Sequence, residues 1–347
     1  MTADIVVVGA GIVGLCTAAA AHRSGDQVTV IDPDLGATSA STASGGLIRK
    51  YDLDGGHLAA HAASSFDPLR LLAKSFNTFH QTGSLTLQYT HDPLPVNIRA
   101  DTAVFSAQAL KDRWPQLEVS PNVIGIFEAA AGWIDAPSFL EALRQQLASS
   151  GVQFLAYPVD KISESHGYVT GVRTTHPELI SAPRVVLAAG ANSTGLARTV
   201  GVHYPLRTRR ISYNYLSVGT DKTAKLPIVL DRTRSLWIRP CIDSDLLLVG
   251  QKSTQYSFGS AEPVRPTTNS RRVRATAAAI FPALGTAAIV GGVSAEDAAH
   301  TANAGSRTVE HCATPEGLTI AAGWDGGGFK AAPILGHLAA STTQVAC

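Results

Sequence analysis

The sequence predicts an α/β protein: a parallel-sheet domain with helices, interleaved with a second, largely antiparallel β-sheet. Three observations predict it. A glycine-rich turn joins an apolar N-terminal strand to an alanine-rich helix and a second strand, alternating strand patterns fill residues 209–251, and a second glycine-rich segment returns at residues 323–328. The 347 residues, 45% hydrophobic and 16% charged, are enough for one large domain or two ordinary ones and argue against disorder.

Ile5 to Val8 is an uninterrupted apolar run and reads as a buried strand. Gly9-Ala10-Gly11-Ile12-Val13-Gly14 follows as GxGxxG, and Leu15 to Ser24 reads as a helix ended by Gly25. Gly9 permits the tight turn, Gly11 lets a pyrophosphate approach the backbone, and Gly14 lets helix and strand pack closely. The helix start offers its N–H groups and positive dipole end to the phosphates. Gln27 to Asp32 is a second strand whose terminal carboxylate stands at about the 20-residue spacing of a ribose-hydroxyl acceptor. Together these elements predict a Rossmann-like unit binding an ADP-ribose moiety. The motif alone does not separate FAD from a nicotinamide.

Further along, Phe139 to Ser149 has helical periodicity, while Gln153 to Tyr157 and Val185 to Ala189 are short β-rich runs, the second broken by Gly190. Arg209 to Val218, Leu226 to Asp231, Ser235 to Pro240 and Leu246 to Gln251 alternate as strands, with Asp243 and Ser244 turning between the last two. Gly326 to Gly328 reads as a turn entering a helix, with Pro333 in the helix's first turn.

A formal charge of +1 gives no global reason to expect nucleic acid or an anionic membrane as partner. The apolar runs are far shorter than the roughly 20 residues of a spanning helix, and Ile5 to Val8 is too short for a signal-peptide core. Cys16, Cys241, Cys312 and Cys347 form no CxxC pair, so a reduced, cytoplasmic setting is expected, without structural zinc or disulfides. The 11 histidines show no HxxxH spacing, so no metal is expected.

Four further segments carry a resemblance: Gly36 to Arg49, Gly132-Trp133-Ile134-Asp135-Ala136-Pro137, Val185 to Gly190, and Ile320 to Pro333 with its Gly326-Gly327-Gly328-Phe329-Lys330 core. In this order the chain resembles the D-amino-acid oxidase superfamily of FAD enzymes, closest to the sarcosine oxidase and glycine oxidase branch, from residue 4 to about 340. The resemblance implies a discontinuous FAD-binding domain (1–86, 137–204 and 305–347) and a substrate domain (87–136 and 205–304) whose sheet roofs the flavin. It assigns to the cofactor Gly9, Gly11, Ile12, Val13, Gly14, Asp32, Ser39, Ser44, Gly45, Gly46, Leu47, Val159, Ala189, Gly190, Gly326, Gly327, Gly328, Phe329 and Lys330. Sarcosine oxidase carries its flavin-linking Cys in the stretch equivalent to 296–305, which here has none, so FAD is expected to be held non-covalently. Cys312 lies several residues later and reads as a small buried hydrophobe.

The resemblance also places Arg49 and Lys330 on the substrate carboxylate, a bidentate fork beside a compact second charge. Trp237 falls on a substrate-contacting aromatic. Leu248 stands where sarcosine oxidase keeps a dioxygen-activating Lys, and Lys252, on the same strand face, is a candidate substitute. Gly327 replaces a His of most relatives, leaving a hydrogen bond or steric wall missing, and the carboxylate-binding Arg of the glycine oxidase branch is absent near Asp297. Two arginine clusters, Arg207-Arg209-Arg210 and Arg271-Arg272-Arg274, read as solvated faces, whereas Asp231, Glu296 and Asp297 are candidates to complement a cationic substrate end. The function implied is a FAD-dependent oxidoreductase that turns the C–N bond of a carboxylate-bearing amine or amino acid into an imine, as an oxidase using O2. A dehydrogenase serving a quinone or protein acceptor, and a catalytically degenerate flavin-binding module, are the alternatives.

Overall fold

The computed structural model describes residues 2–51, 56–94, 101–176, 179–219, 225–251, 256–257, 268–301 and 309–341. One sheet runs in the order Glu310–His311, Leu318–Ile320, Val185–Leu187, Ile5–Val8, Val28–Ile31, Gln153–Leu155, parallel throughout except at the Glu310–His311 edge. Ile5 and Val7 enter one apolar cluster while Val6 and Val8 enter another, and this two-sided burial is why the strand carries no polar alternation. Helices Ile12–Arg23, Gly56–Ser75, Ala136–Ser149 and Gly328–Ala340 cover the first face. The antiparallel strands Val159–Ser165, Tyr168–Thr174 and Leu179–Ser181 pack against the second.

The larger sheet runs Tyr256–Ser257, Leu206–Ser217, Leu246–Gln251, Leu236–Pro240, Ile228–Asp231, Ser84–Tyr89, Val123–Glu128, Thr102–Phe105, with Ala288–His300 also paired to Leu206–Ser217. All its pairs are antiparallel except Ile228–Asp231 with Ser84–Tyr89, the seam where two distant stretches of chain meet. One face buries Leu216, Ile238, Leu247 and Val249 against Val273 and Ala277 of the helix Thr268–Ala278. A small ribbon of Leu47–Ile48, Gly132–Ile134 and Phe79–His80 lies beside the opposite face.

The expected strands are present with ends shifted by a few residues, and the first helix starts at Ile12, inside the GxGxxG, where the Leu15 N–H already donates to the Gly11 carbonyl. Pro333 is a correction. It lies in the second turn of Gly328–Ala340, not the first, and leaves the helix ladder without one N–H. Buried Ser65 bridges the defect: its Oγ accepts the Ile334 N–H (3.2 Å) and donates to the Ala331 carbonyl (3.2 Å).

No helix among the described residues is long and apolar enough to cross a membrane. Cys16, Cys241 and Cys312 are free thiols, Cys312 being half-buried, with burial pushing its thiol up to about 11. Among the described residues no cluster of His, Cys, Asp and Glu is suited to a metal ion.

Candidate active site

The first glycine turn is built by close approach. Gly9 has φ +110°, and a Cβ on it would stand 2.4 Å from the Ala188 carbonyl oxygen; one on Gly14 would stand 1.9 Å from that of Gly9. Asp32 orders this turn from the end of the next strand: its carboxylate accepts the N–H groups of Ala10 (2.9 Å), Gly36 (2.9 Å) and Asp34 (3.1 Å). The Ile12 N–H, expected to face a phosphate, instead donates to Ser41 Oγ (3.0 Å) and ties the helix start to the second motif.

From that helix start a cleft with about 790 Å³ of empty space, counting its open mouth, runs to the C-terminal glycine turn. Gly11, Ile12, Val13, Ser44, Gly190, Gly326, Gly328 and Phe329, all expected at the cofactor, line it, as do Ser41, Arg209, Tyr213, Glu296, Asp297 and Trp324. Buried Trp324 keeps an indole N–H there with no hydrogen-bond acceptor among the described residues. Backbone at a helix start, serine hydroxyls and an unanswered buried donor fit an elongated, acceptor-rich dinucleotide such as FAD.

The other expected cofactor residues stand behind this lining. Ser39 Oγ accepts the Thr42 N–H within its own turn, Gly46 packs on the Ile134 carbonyl, and Leu47 pairs with Trp133. Ala189 backs Gly9, while Val159 opens its strand against the apolar cluster on the sheet's second face, away from the cleft lining.

Arg209 corrects the expectation of a solvated arginine cluster. Only 5% exposed, its guanidinium Nε lies 3.0 Å from Asp325 Oδ1, and its Nη2 donates to the Asp325 carbonyl (2.9 Å) and to Asp297 Oδ2 (3.4 Å). Burial raises the Asp297 carboxyl to about 6, against the pull of Arg209 and with the push of Asp325. Asp231 is a second correction: it is buried and its carboxylate is taken by Thr233 and Arg234, which removes it as a partner for a substrate.

Arg49 and Lys330, the pair expected at a substrate carboxylate, interact electrostatically. Burial first, then the Arg49 charge, hold the Lys330 ammonium well below its usual range. Glu128, 3% exposed and reaching in from the large sheet, accepts the N–H groups of Lys50 (2.9 Å) and Tyr51 (3.1 Å). Its carboxyl is raised by burial and stabilised in its charged form by those N–H groups and Arg49. A buried carboxylate thus fixes the loop that carries Arg49.

Trp237 sits over the second motif, where a Cβ on Gly45 would be 2.9 Å from its Cη2. In register Trp237 faces Gly250 and Arg239 faces Leu248, while Tyr213 and Tyr215 oppose the same two residues from the other neighbouring strand. Directly opposed residues share a face, so these six form one side of the sheet. Leu248 is therefore a buried apolar member of the roof, and the cation beside it is Arg239, 7% exposed, with its guanidinium 3.7 Å from the Trp133 ring centroid. Lys252 lies outside the described residues. At Gly327 the volume next to the missing side chain is filled: a Cβ there would stand 2.3 Å from Leu58 Cδ2, so Leu58 supplies the wall.

Glu128, Arg209, Arg239 and Asp325 were not reached from the sequence as site residues. Asp325 lies within the C-terminal motif, and its φ of +50° marks the same tight turn as the glycines. The other three sit in ordinary strand patterns that carry no signal of their partners.

A family model for FAD-dependent oxidoreductases, DAO, matches residues 4–342. Among curated proteins the chain is similar to the tRNA 5-methylaminomethyl-2-thiouridine biosynthesis bifunctional protein MnmC of Polaromonas naphthalenivorans (strain CJ2), 31% identical over 218 residues, which are 56% of this chain and 32% of that protein. The match thus spans about a third of that relative. Among solved structures the chain is similar to L-proline dehydrogenase from P. horikoshii (TM-score 0.85, 20% identity, 98% of this chain and 92% of that one). It is also similar to glycine oxidase from Geobacillus kaustophilus (TM-score 0.79, 17% identity, 96% and 92%). These likenesses carry the fold, and the match over 4–342 carries the family: the chain belongs to the DAO family of FAD-dependent oxidoreductases.

Proposed function

We propose that the protein oxidises the C–N bond of an amino acid, or of another amine bearing a carboxylate, to an imine and passes the electrons to dioxygen. The observation that carries this is the electrostatic interaction of Arg49 with Lys330, two cations from opposite ends of the chain. FAD, when bound, supplies the two-electron acceptor. Arg49 offers a planar fork to the carboxylate, Lys330 adds a second charge, and Trp237 walls the pocket over Gly45. The start of the helix Gly328–Ala340 presents N–H groups and a positive dipole end, which suit developing negative charge at the cofactor. In this reading residues 1–86, 137–204 and 305–347 form the cofactor unit and 87–136 and 205–304 the substrate unit. The strand Ser84–Tyr89 straddles the first boundary and goes with the large sheet.

Buried Leu248 favours a second reading, a dehydrogenase that serves a quinone or protein acceptor, because an apolar side chain does nothing to stabilise charge developing on dioxygen. One experiment separates the two. The yellow holoenzyme is mixed anaerobically with N-methyl, cyclic, D- and L-amino acids, bleaching is followed in the visible spectrum, and air is then admitted. Bleaching by carboxylate-bearing amines but not by their decarboxylated counterparts, followed by rapid return of colour, is the expected result. Colour that stays bleached in air identifies the dehydrogenase, and absence of bleaching with every amine overturns both readings.

A further inference from the structure

We propose that Arg239 anchors a second carboxylate of the substrate, so that the amine the protein oxidises is a dicarboxylate. The inference rests on the site being one for carboxylate-bearing amines and names the class of amine. It follows from a buried cation and a buried indole N–H that lie against each other, both without an acceptor among the described residues.

Arg239 is only 7% exposed, yet it forms no ion pair among the described residues. Its Nε is buried without an acceptor, and its Nη1 makes a long bond, 3.4 Å, to the carbonyl of the adjacent Pro240. Asp135, Cys241 and Tyr215 act on it electrostatically, but the Asp135 carboxylate accepts the Ser138 hydroxyl (2.6 Å), and burial holds the Cys241 thiol and the Tyr215 phenol in their neutral forms. The guanidinium lies 3.7 Å from the centroid of the Trp133 ring, whose own indole N–H is buried and unanswered. His80 stacks on the other ring contact of Trp133 at 4.2 Å and is kept neutral by burial. A guanidinium over an indole keeps its edge N–H groups for a planar anion. One charged and one neutral donor, both desolvated, are completed by an acceptor of a single negative charge, which a carboxylate supplies.

The place of Arg239 in the sheet connects it to the substrate. Arg209, Ile211 and Tyr213 line the cleft, and Tyr215 is the next residue on the same face of their strand. Tyr213 and Trp237 oppose Gly250, while Tyr215 and Arg239 oppose Leu248. The Arg239 row is therefore the first beyond the cleft lining, roughly 7 Å along the strands. Tyr213, Tyr215 and Trp237 are each half-buried, so this face is partly open beside the buried cation. Leu248, buried between Tyr215 and Arg239, keeps water from the guanidinium and strengthens its pull on an anion. The ribbon beside this face also carries Arg49: Trp133 pairs with Leu47 and Gly132 with Ile48, and Arg49 follows. Arg49 thus stands two residues past the point where Trp133 joins the ribbon, and one short element sets the interval between the two carboxylates.

The test is binding to the yellow holoenzyme, read from the flavin spectrum, of malonate, succinate and glutarate against propionate, butyrate and pentanoate, each pair differing only in the distal group. The best dicarboxylate is expected to bind roughly 30-fold or more tightly than its partner. Arg239→Met should bring that ratio to about one, Arg239→Lys should keep part of it, and Trp133→Phe, which keeps a ring without the N–H, should lower it about fivefold. In turnover the same ratio is read as kcat/KM for D- and L-aspartate and glutamate against 2-aminobutyrate and norvaline. Dicarboxylates that bind no more tightly than monocarboxylates at any length overturn the inference, as does an Arg239→Met variant that keeps the parent's ratio. Removing a buried unpaired charge should leave ligand-free Arg239→Met melting no lower than the parent. A fall in its thermal midpoint, or failure to fold, makes Arg239 a structural tie and overturns the inference too. If Arg49→Ala leaves acetate affinity unchanged, the carboxylate-amine reading itself fails, an outcome read on a different variant.

Discussion

Arg209 and Asp325, 116 residues apart, meet with Nε 3.0 Å from Oδ1, so a strand of the large sheet holds the turn that enters the helix Gly328–Ala340. Replacing the guanidinium by Met leaves Asp297 and Asp325 buried without their cation, a loss of about 3–5 kcal/mol. Arg209→Met is expected to lower the thermal midpoint and to shed FAD on gel filtration, with Arg209→Lys recovering part of both. A Met variant as stable and as yellow as the parent would show that the ion pair does not hold the turn.

The same cluster gives the protein a pH-dependent stability. Asp297 is raised by burial from 3.8 to about 6, so the folded chain binds this proton more tightly than the unfolded chain. The stabilisation is fully present below pH 3.8 and is lost as pH rises through 6, amounting to about 3 kcal/mol. Asp297→Asn, which cannot ionise, should gain stability relative to the parent between pH 4.5 and pH 7.5 in urea unfolding. An unchanged difference at the two pH values contradicts this assignment.

Trp237 has little room to move. A Cβ on Gly45 would stand 2.9 Å from its Cη2, a Cβ on Gly250 2.4 Å from its Cε2, and the Tyr213 ring meets it edge-on at 4.7 Å. Gly45→Ala is therefore expected to displace the second motif rather than the indole and to lower turnover of a carboxylate-bearing amine about tenfold, equivalent to roughly 1.4 kcal/mol. Adding Trp237→Phe should recover part of the loss. Steady-state kinetics on the single and double variants decide it, and equal rates for parent and Gly45→Ala would mean the indole yields freely.

Glu128 uses both carboxylate oxygens, Oε1 for the Lys50 N–H and Oε2 for the Tyr51 N–H. An amide has one acceptor oxygen, so Glu128→Gln leaves one of these N–H groups unanswered at a cost of about 1–3 kcal/mol. The loop carrying Arg49 then loosens, and acetate binding, read from the flavin spectrum, should weaken about tenfold while the visible spectrum of the free enzyme is kept. Unchanged acetate affinity would separate Glu128 from the placement of Arg49.

What could be read from the chain alone follows from locality. The strand Ile5–Val8, the turn Gly9 to Gly14 and Asp32 fall within one βαβ unit, where glycine spacing and apolar periodicity speak directly about backbone geometry. Pro333 shows the limit: a proline suits a helix's first turn by local rule, but here a serine 266 or more residues away supplies the bonds that let it sit one turn deeper. Gly327 is similar. By sequence it is a missing side chain, and only the fold shows Leu58 in the neighbouring space.

The nucleotide-binding unit and the order of motifs are legible in the chain because each is written in short segments of fixed spacing, and the resemblance those motifs carry implies Arg49 and Lys330 as candidates. Folding alone reveals that Arg49 acts on Lys330, that Glu128 holds the loop of one, and that Arg209 is a buried tie rather than a surface charge. Desolvation and Coulomb attraction depend on distances in space. Residues in ordinary strand patterns acquire such roles from partners some 77 to 116 positions away, which no local spacing encodes.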